Sequence, residues 1–208
     1  MWYPILIAAV TAYLLGNLNG AVCVSALVAH DDVRTHGSGN AGLTNFIRNY
    51  GAANSLLVIA IDAGKAVVAC LVTGLLLEPY GYGLEGRVWG GLAVMLGHIF
   101  PALLGFKGGK GILSGFFISL MVDWRIGLLI LAVFATVYLL TQYVSLASVL
   151  AAATFGIGFA VAYSSNLSVA FGCLTMSALT IIMHRGNIAR LLKGQERKTN
   201  LFGKGKQK

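Results

Sequence analysis

Two lysines lie in the most glycine-rich loop of the chain, directly after an apolar stretch. The segment "FKGGKG" at residues 106–111 sets them among glycines, which let backbone N–H groups close on an anion while the lysines supply charge. These residues favour a phosphate cradle, and its members are Lys107, Gly108, Gly109, Lys110 and Gly111. For this loop alone, a turn whose lysines anchor at lipid headgroups is an equal alternative. The loop is not a Walker A motif, because the residue after Lys110 is glycine.

A second polar loop, "HGSGNAGLTNFIRN" at residues 36–49, again combines glycines with hydrogen-bond donors. Arg48 offers a planar fork suited to phosphate, and a helix that begins at "LTNFIRN" would add N–H groups facing an anion. The further candidate ligands in this loop are Ser38, Gly39, Asn40, Thr44 and Asn45. Taken alone, the loop reads more simply as an ordinary capped turn.

A third stretch, "MHRGNIARLLKGQERK" at residues 183–198, follows the last apolar segment. His184 and Asn187 are three residues apart, so a helix that continues past the membrane surface would place both on one face. A single histidine at the end of a span is more often an interfacial anchor. Here Arg185 adds charge, and together with Arg48 and the two lysines of the loop it suits two phosphates held close together.

Two further pairs of polar residues have helical spacing within apolar segments. Ser145 and Ser148 face the same way in "VSLAS", where small-residue helix packing also explains them. Asp62 and Lys65 lie within a span, where an unpaired charge is expensive, and this predicts an ion pair that ties helices beside the polar site.

The composition defines the elements that must position these residues. Of 208 residues, 57% are hydrophobic and 11% are charged, which is typical of an all-α, multispanning membrane protein. Seven spans are predicted, the fourth of them short, and they lie near 4–29, 53–77, 88–104, 112–122, 126–142, 145–163 and 167–183. The chain should form one membrane domain over 1–208, with a disordered basic tail at 199–208.

The distribution of lysine and arginine predicts the orientation. With the N-terminus outside, twelve of these residues fall on the inner side and two, Arg87 and Arg125, fall outside. The positive-inside rule then places the C-terminus and all three polar stretches in the cytoplasm. The cysteines and histidines lack metal-ligand spacing, so neither a metal nor another cofactor is expected.

Four motifs resemble those of the bacterial membrane acyl-phosphate:glycerol-3-phosphate acyltransferases, the PlsY-type family. They stand here as "GSGNAGLTNFIR", "GHIFPALLGFKGGKG", "VSLAS" and "HRGNIARLLKGQE", in the family's order and spread over residues 37–196. The resemblance implies an enzyme that transfers a fatty acyl group from acyl phosphate to the 1-hydroxyl of sn-glycerol 3-phosphate, giving lysophosphatidic acid and inorganic phosphate.

The resemblance also implies roles for individual residues. Residues expected to contact glycerol phosphate or the reacting phosphate are Ser38, Arg48, Lys110 and His184. Ser145 and Ser148 would donate hydrogen bonds, and Asn187 would orient the attacking hydroxyl. The implied partners are the two substrates, membrane lipid, and the enzymes that form acyl phosphate and acylate the product. No nucleic-acid partner is expected, because eight of the fifteen lysines and arginines follow Met183 as a basic tail, which is usually a topology signal.

Two alternatives remain at this point. No histidine of the chain has an aspartate five places on, which disfavours the HxxxxD mechanism of acyl-CoA-dependent acyltransferases. A non-enzymatic carrier or channel for phosphate-bearing anions would also use a basic polar face, but the sequence has no internal repeat of the kind that many carriers carry.

Overall fold

The computed structural model describes residues 2–199, and within this range every regular element is helical. The helices are α1 (Trp2–Gly16), α2 (Gly20–Ala29), α3 (Leu43–Tyr50), α4 (Ser55–Leu77), α5 (Gly83–Ile99), α6 (Ile112–Val122), α7 (Trp124–Thr141), α8 (Val144–Ala162), α9 (Leu167–Met183) and α10 (Arg185–Leu192). The prediction of an all-α polytopic membrane protein is confirmed.

The predicted spans all fall on helices, but their lengths do not establish seven crossings. Five stretches of the described chain are long and apolar enough to cross a membrane, and the pair α9–α10 would make six. Helix α6 has 11 residues, which at 1.5 Å per residue is too short to cross the hydrocarbon core alone. The count of seven therefore stays a prediction.

Small residues let the helices approach closely. Gly16 at the end of α1 packs on Gly97 of α5, where an added Cβ on Gly97 would meet the backbone oxygen of Tyr13 at 2.1 Å. Such backbone contact supplies van der Waals energy where lipid offers no hydrophobic drive between helices. Large apolar side chains point outward instead, as Leu140 does with 81% of its surface exposed.

The described loops gather at two ends of the bundle. At one end Arg34 donates to the carbonyl of Leu104, and Lys110 reaches Asn187. At the other end, Asn166 of the loop before α9 donates to Glu85 at the start of α5. All three polar stretches singled out in the sequence meet at the first end.

The last helix does not continue straight, contrary to the expectation for residues 183–198. Helices α9 and α10 meet at 56°, and His184 is the residue at the break. Its N–H bonds to Ile181 three residues back at 2.9 Å, a tighter turn than the α-helical ladder. The bend brings α10 and the following segment across the end of the bundle, and both His184 and Asn187 are buried there.

Candidate active site

A cavity of about 370 Å³ opens at the end where the three polar stretches meet. One part of it is lined by polar and cationic side chains: Ser38, Arg48, Lys110, His184, Asn187, Arg190 and Glu196. The other part is lined by apolar side chains of α5 to α9: Met95, Phe116, Ile130, Phe134, Phe155 and Met176. A ligand that fits both parts carries an anionic group and a hydrocarbon chain.

The first loop presents Ser38 through two glycines with left-handed backbone. Gly37 and Gly39 have φ of 59° and 69°, a conformation that other residues rarely adopt. Asn45 at the start of α3 fixes the turn, since its side chain accepts from the Ser38 N–H at 3.1 Å and donates to the carbonyls of Val33 and His36. Asn45 lines the cavity, but its polar atoms hold the loop.

Arg48 lines the cavity from α3, the helix that follows this loop. Its guanidinium donates to the hydroxyl of Thr199 and to the backbone oxygen of Arg197. Thr199, which the sequence places in the disordered tail, is buried and donates its N–H to Gln142 at 3.0 Å. The remainder of that tail, 200–208, lies outside the described residues.

Lys110 belongs to a chain of hydrogen bonds that ends in a carboxylate. Its ammonium donates to Oδ1 of Asn187, whose Nδ2 donates to Glu196 at 2.8 Å. Arg190 donates to the other oxygen of Glu196 at 2.7 Å. These contacts fix the amide of Asn187 with its oxygen towards Lys110.

The surroundings of Lys110 and Glu196 shift the pKa of both side chains. Burial, together with the positive charges of Arg190 and Arg48, lowers the pKa of Lys110 to about 8, and Glu196 opposes this shift. Burial alone would raise the pKa of Glu196, but hydrogen bonds from Asn187 and Arg190 outweigh it and hold that pKa below its ordinary value.

His184 is oriented by its own helix. Nδ1 lies 2.8 Å from the carbonyl oxygen of Thr180, an atom that only accepts, so Nδ1 carries a proton. In the neutral ring Nε2 is then a free acceptor on a residue that lines the cavity. The geometry suits a group that accepts a hydrogen bond or a proton from a bound hydroxyl.

Ser145 and Ser148 lie near the N-terminal end of α8. Both are buried at the start of α8 and line the cavity on the same face. The ion pair predicted for Asp62 and Lys65 is present at 2.8 Å, and Asp62 borders the cavity.

Several predicted site residues do not reach the cavity. Those that do not line it are Gly39, Lys107, Gly108, Gly109 and Arg185. Gly108 and Gly109 instead pack closely against α5. An added Cβ on Gly108 would lie 2.0 Å from the His98 carbonyl oxygen, and an added Cβ on Gly109 would lie 2.1 Å from His98 Nε2. Lys107 and Arg185 are exposed. Of the predicted cradle, only Lys110 and Gly111 line the cavity.

Arg190 and Glu196 were missed as site residues. Glu196 lies nine residues after Asn187, and their contact depends on the turn at Gly194, whose φ of 66° lets the segment after α10 fold back towards Asn187. Within residues 2–199 no group of three His, Cys, Asp or Glu side chains is arranged to hold a metal ion.

The fold and the cavity define a polytopic membrane protein with a candidate site whose lining suits an anionic, chain-bearing ligand. Residues 6–194 match the family model described as glycerol-3-phosphate acyltransferase. A glycerol-3-phosphate acyltransferase of Thermoanaerobacter sp. (strain X514) is 38% identical over 92% of this chain and 94% of its own length. That of Clostridioides difficile (strain 630) is 39% identical over 94% and 96%. The chain belongs to the glycerol-3-phosphate acyltransferase family.

Two solved structures share the fold. PlsY (YgiH), described as an integral membrane glycerol 3-phosphate acyltransferase, matches in its glycerol 3-phosphate form with a TM-score of 0.84 and 32% identity, over 95% of this chain and 98% of that one. Its lysophosphatidic acid form matches with a TM-score of 0.80 and 31% identity, over 94% and 95%. The family resemblance read from the sequence is confirmed.

Proposed function

We propose that the protein transfers a fatty acyl group from acyl phosphate to the 1-hydroxyl of sn-glycerol 3-phosphate, giving lysophosphatidic acid and inorganic phosphate. The observation that carries this proposal is the joining of a cationic part and an apolar part in one cavity. The acceptor and the leaving group are both phosphates, and the transferred group is a hydrocarbon chain. The two relatives named above are glycerol-3-phosphate acyltransferases, which supports the same acceptor here.

The reaction is a displacement at the acyl carbon. The 1-hydroxyl oxygen attacks the carbonyl carbon, a new C–O ester bond forms, and the bond from that carbon to the phosphate oxygen breaks. The electron pair of the broken bond leaves with inorganic phosphate. Two acceptors are available for the hydroxyl proton, namely Nε2 of His184 and an oxygen of a substrate phosphate.

The cations stabilise the charge that this step develops. Lys110 and Arg48 line the part of the cavity where the phosphates would bind, and an interaction that strengthens as phosphate leaves accelerates the chemical step. Ser38 is held outward by its two glycines and can donate to a phosphate oxygen. Asn187 positions Lys110 through its amide oxygen, while the resemblance implies that it also orients the attacking hydroxyl.

The proposal is tested with purified protein in detergent micelles, palmitoyl phosphate and glycerol 3-phosphate, with lysophosphatidic acid as the readout. We expect product with palmitoyl phosphate, none when glycerol replaces glycerol 3-phosphate, and no dependence on palmitoyl-CoA or on metal. Turnover with palmitoyl-CoA in place of palmitoyl phosphate, or complete loss with EDTA, would contradict the proposal. Absence of product together with phosphate uptake into proteoliposomes would favour an anion carrier.

The proposed setting is a bacterial plasma or inner membrane, with the N-terminus outside and the cavity open to the cytoplasm. An upstream enzyme would supply acyl phosphate and a downstream acyltransferase would use the product. Exposed positions allow a test of orientation in a variant without Cys23, Cys70 and Cys173. A membrane-impermeant thiol reagent added to intact cells should label Tyr82→Cys and Trp124→Cys but neither Phe106→Cys nor Leu192→Cys. The reverse pattern would refute the orientation.

A further inference from the structure

A charged cluster lies buried behind the glycine-lysine loop, and none of the roles assigned above involves all of its members. We call it the buried cluster, and it consists of Asp62 and Lys65 on α4 and His98 on α5. These residues are 1%, 5% and 4% exposed. A group of ionisable side chains is costly inside a membrane protein, so its retention calls for a specific role.

The ammonium of Lys65 is the centre of the cluster. It donates to the carbonyl of Leu18 at 2.6 Å, and it lies 2.8 Å from Asp62 Oδ1 and 2.8 Å from His98 Nδ1. The carbonyl oxygen of Gly16 lies further away, at 3.3 Å. An ammonium has three protons, so the three nearer acceptors satisfy it. The charges of Lys65 and Asp62 then cancel within the cluster.

The partners of Lys65 determine the proton position on His98. Lys65 has no acceptor atom, so Nδ1 of His98 accepts its hydrogen bond, and the proton of the neutral ring is on Nε2. The edge of the ring that carries Nε2 faces Gly109. An added Cβ on Gly109 would lie 2.1 Å from this nitrogen and 2.8 Å from the carbonyl oxygen of Ala41.

The same contacts join the glycine-lysine loop to the first polar loop. The Gly109 N–H donates to the His98 carbonyl at 3.0 Å, so the loop is attached to His98 through both backbone and ring. Asn19, next to the carbonyl that Lys65 holds, donates to Ala41 at 2.9 Å. The break between α1 and α2, the first polar loop and Gly109 therefore surround one side of the cluster.

We infer that the buried cluster positions Lys110: Lys65 and Asp62 fix the His98 ring, the ring sets the position of Gly109, and Gly109 sets that of the lysine next to it. His98 is thus a positioning residue that acts through Lys110. The inference that His98 positions Lys110 rests on the proposed function only where turnover is the quantity measured. The placement of a cation for phosphate is a property of the free protein as well.

The test is a double-mutant cycle between His98→Asn and Lys110→Ala. The shorter amide side chain of His98→Asn keeps an acceptor near the place of Nδ1 for Lys65 but removes the ring edge that touches Gly109. Because a displacement of about 1 Å in a site can cost about 100-fold, we expect His98→Asn to lower kcat about 10- to 100-fold. In the Lys110→Ala background the same change should cost less than about threefold, because the group it positions is gone.

Thr73→Val is the matched control. Thr73 is a buried polar residue of α4 whose hydroxyl bonds, among the described residues, to Ala69 and Cys70 of its own helix. Unlike His98, it does not line the cavity. Its small effect should be the same with and without Lys110. An equal loss for His98→Asn in both backgrounds, as a general loss of stability would give, would overturn the inference.

Gly109→Ala changes the same contact from the side of the loop. The fall in kcat that it causes should likewise be smaller in the Lys110→Ala background. Failure of both variants to fold, judged by gel filtration, would assign the contact to folding alone and also overturn the inference. A second readout is the rise in unfolding temperature caused by inorganic phosphate. If wild-type protein binds phosphate but makes no lysophosphatidic acid, the proposed function fails. The double-mutant cycle can then be measured on the phosphate-induced rise in unfolding temperature, and it still decides the role of the cluster.

Discussion

The buried cluster and the cationic part of the cavity lie side by side, yet they hold charge in opposite ways. In the cluster the Lys65 ammonium has three acceptors and its charge is cancelled by Asp62. In the cationic part of the cavity, Glu196 is one carboxylate beside three cations, Arg48, Lys110 and Arg190, and of these Arg190 alone donates to it directly. One region is neutral and complete, and the other has unmatched positive charge.

This difference indicates what each region does. The protons of the Lys65 ammonium are taken up within the protein, although Asp62 and His98 also line the cavity. We therefore expect the cluster to hold the backbone and the His98 ring in place rather than to bind an anion. Unmatched cations are stabilised when an anion arrives, and the cavity is therefore where binding and chemistry are expected. Removing a charge should accordingly harm stability in the cluster and turnover in the cavity.

The largest effect is expected from Lys65→Met, which leaves Asp62 buried without its counter-charge. Breaking a buried pair in this way costs about 3–5 kcal/mol of unfolding free energy. Thermal unfolding in detergent micelles would measure it as a marked fall in unfolding temperature. The double variant Asp62→Asn/Lys65→Met should recover much of the loss, because neither charge is then left unpaired. A double variant less stable than Lys65→Met would contradict the account of the cluster as a neutral unit.

In the cavity, Lys110→Ala should lower kcat about 100- to 1000-fold, because the lost interaction strengthens as phosphate leaves. Its unfolding temperature should change little. Lys110→Arg should recover little activity, since a planar fork does not reproduce a compact ammonium. Steady-state kinetics at matched amounts of folded protein provide the measurement.

Lys107→Ala is the matched control for Lys110→Ala. Lys107 lies three residues earlier in the same loop but is exposed and does not line the cavity. We expect less than about a threefold change in kcat for a cation at such a rim position. Equal losses for the two lysines would favour the headgroup-anchor interpretation of this loop.

The sequence predicted the helices well because their signal is local. Apolar runs place α6 and α9 at the expected residues, 112–122 and 167–183, and the glycine loops fall between helices. The break at His184 was not predicted, because residues 183–192 read as a continuous helix and the bend depends on where the following segment packs. The number of membrane spans depends on whether α6 crosses the membrane, because α6 is shorter than a membrane-spanning helix ordinarily is.

The predicted site residues whose side chains act alone line the cavity, whereas those whose place is decided by packing do not. Ser38, Arg48, Lys110 and His184 all line the cavity. Gly108 and Gly109 were predicted as a phosphate cradle from their conformational freedom. In the structure they are required by the closeness of α5, a contact between segments that no local pattern reveals.

The pH dependence of kcat/KM provides a smaller effect, which tests the charge of Lys110 in the cavity. With a pKa of about 8 in the free protein, Lys110 is charged below that pH and loses its charge above it. Since kcat/KM reports the free enzyme, it should fall about tenfold per pH unit above about pH 8. Glu196 raises the pKa of Lys110, so Glu196→Gln should move this fall to lower pH. An unchanged profile in Glu196→Gln would show that another group is titrating.

The smallest effect concerns two arginines of α10, of which only Arg185 was predicted as a site residue. Arg185 was predicted to bind substrate, but it is exposed and does not line the cavity, and within residues 2–199 it donates only to Ile182, at 3.5 Å. Arg190 lines the cavity and holds Glu196, which in turn fixes Asn187. We expect Arg185→Ala to change kcat/KM by about twofold or less, as for an exposed rim charge. Arg190→Ala should cost about tenfold, because it leaves a buried carboxylate short of its cation. Kinetics of the two variants side by side decide the matter: a larger loss for Arg185→Ala would mean that unmatched charge at this end of the bundle acts beyond the cavity wall.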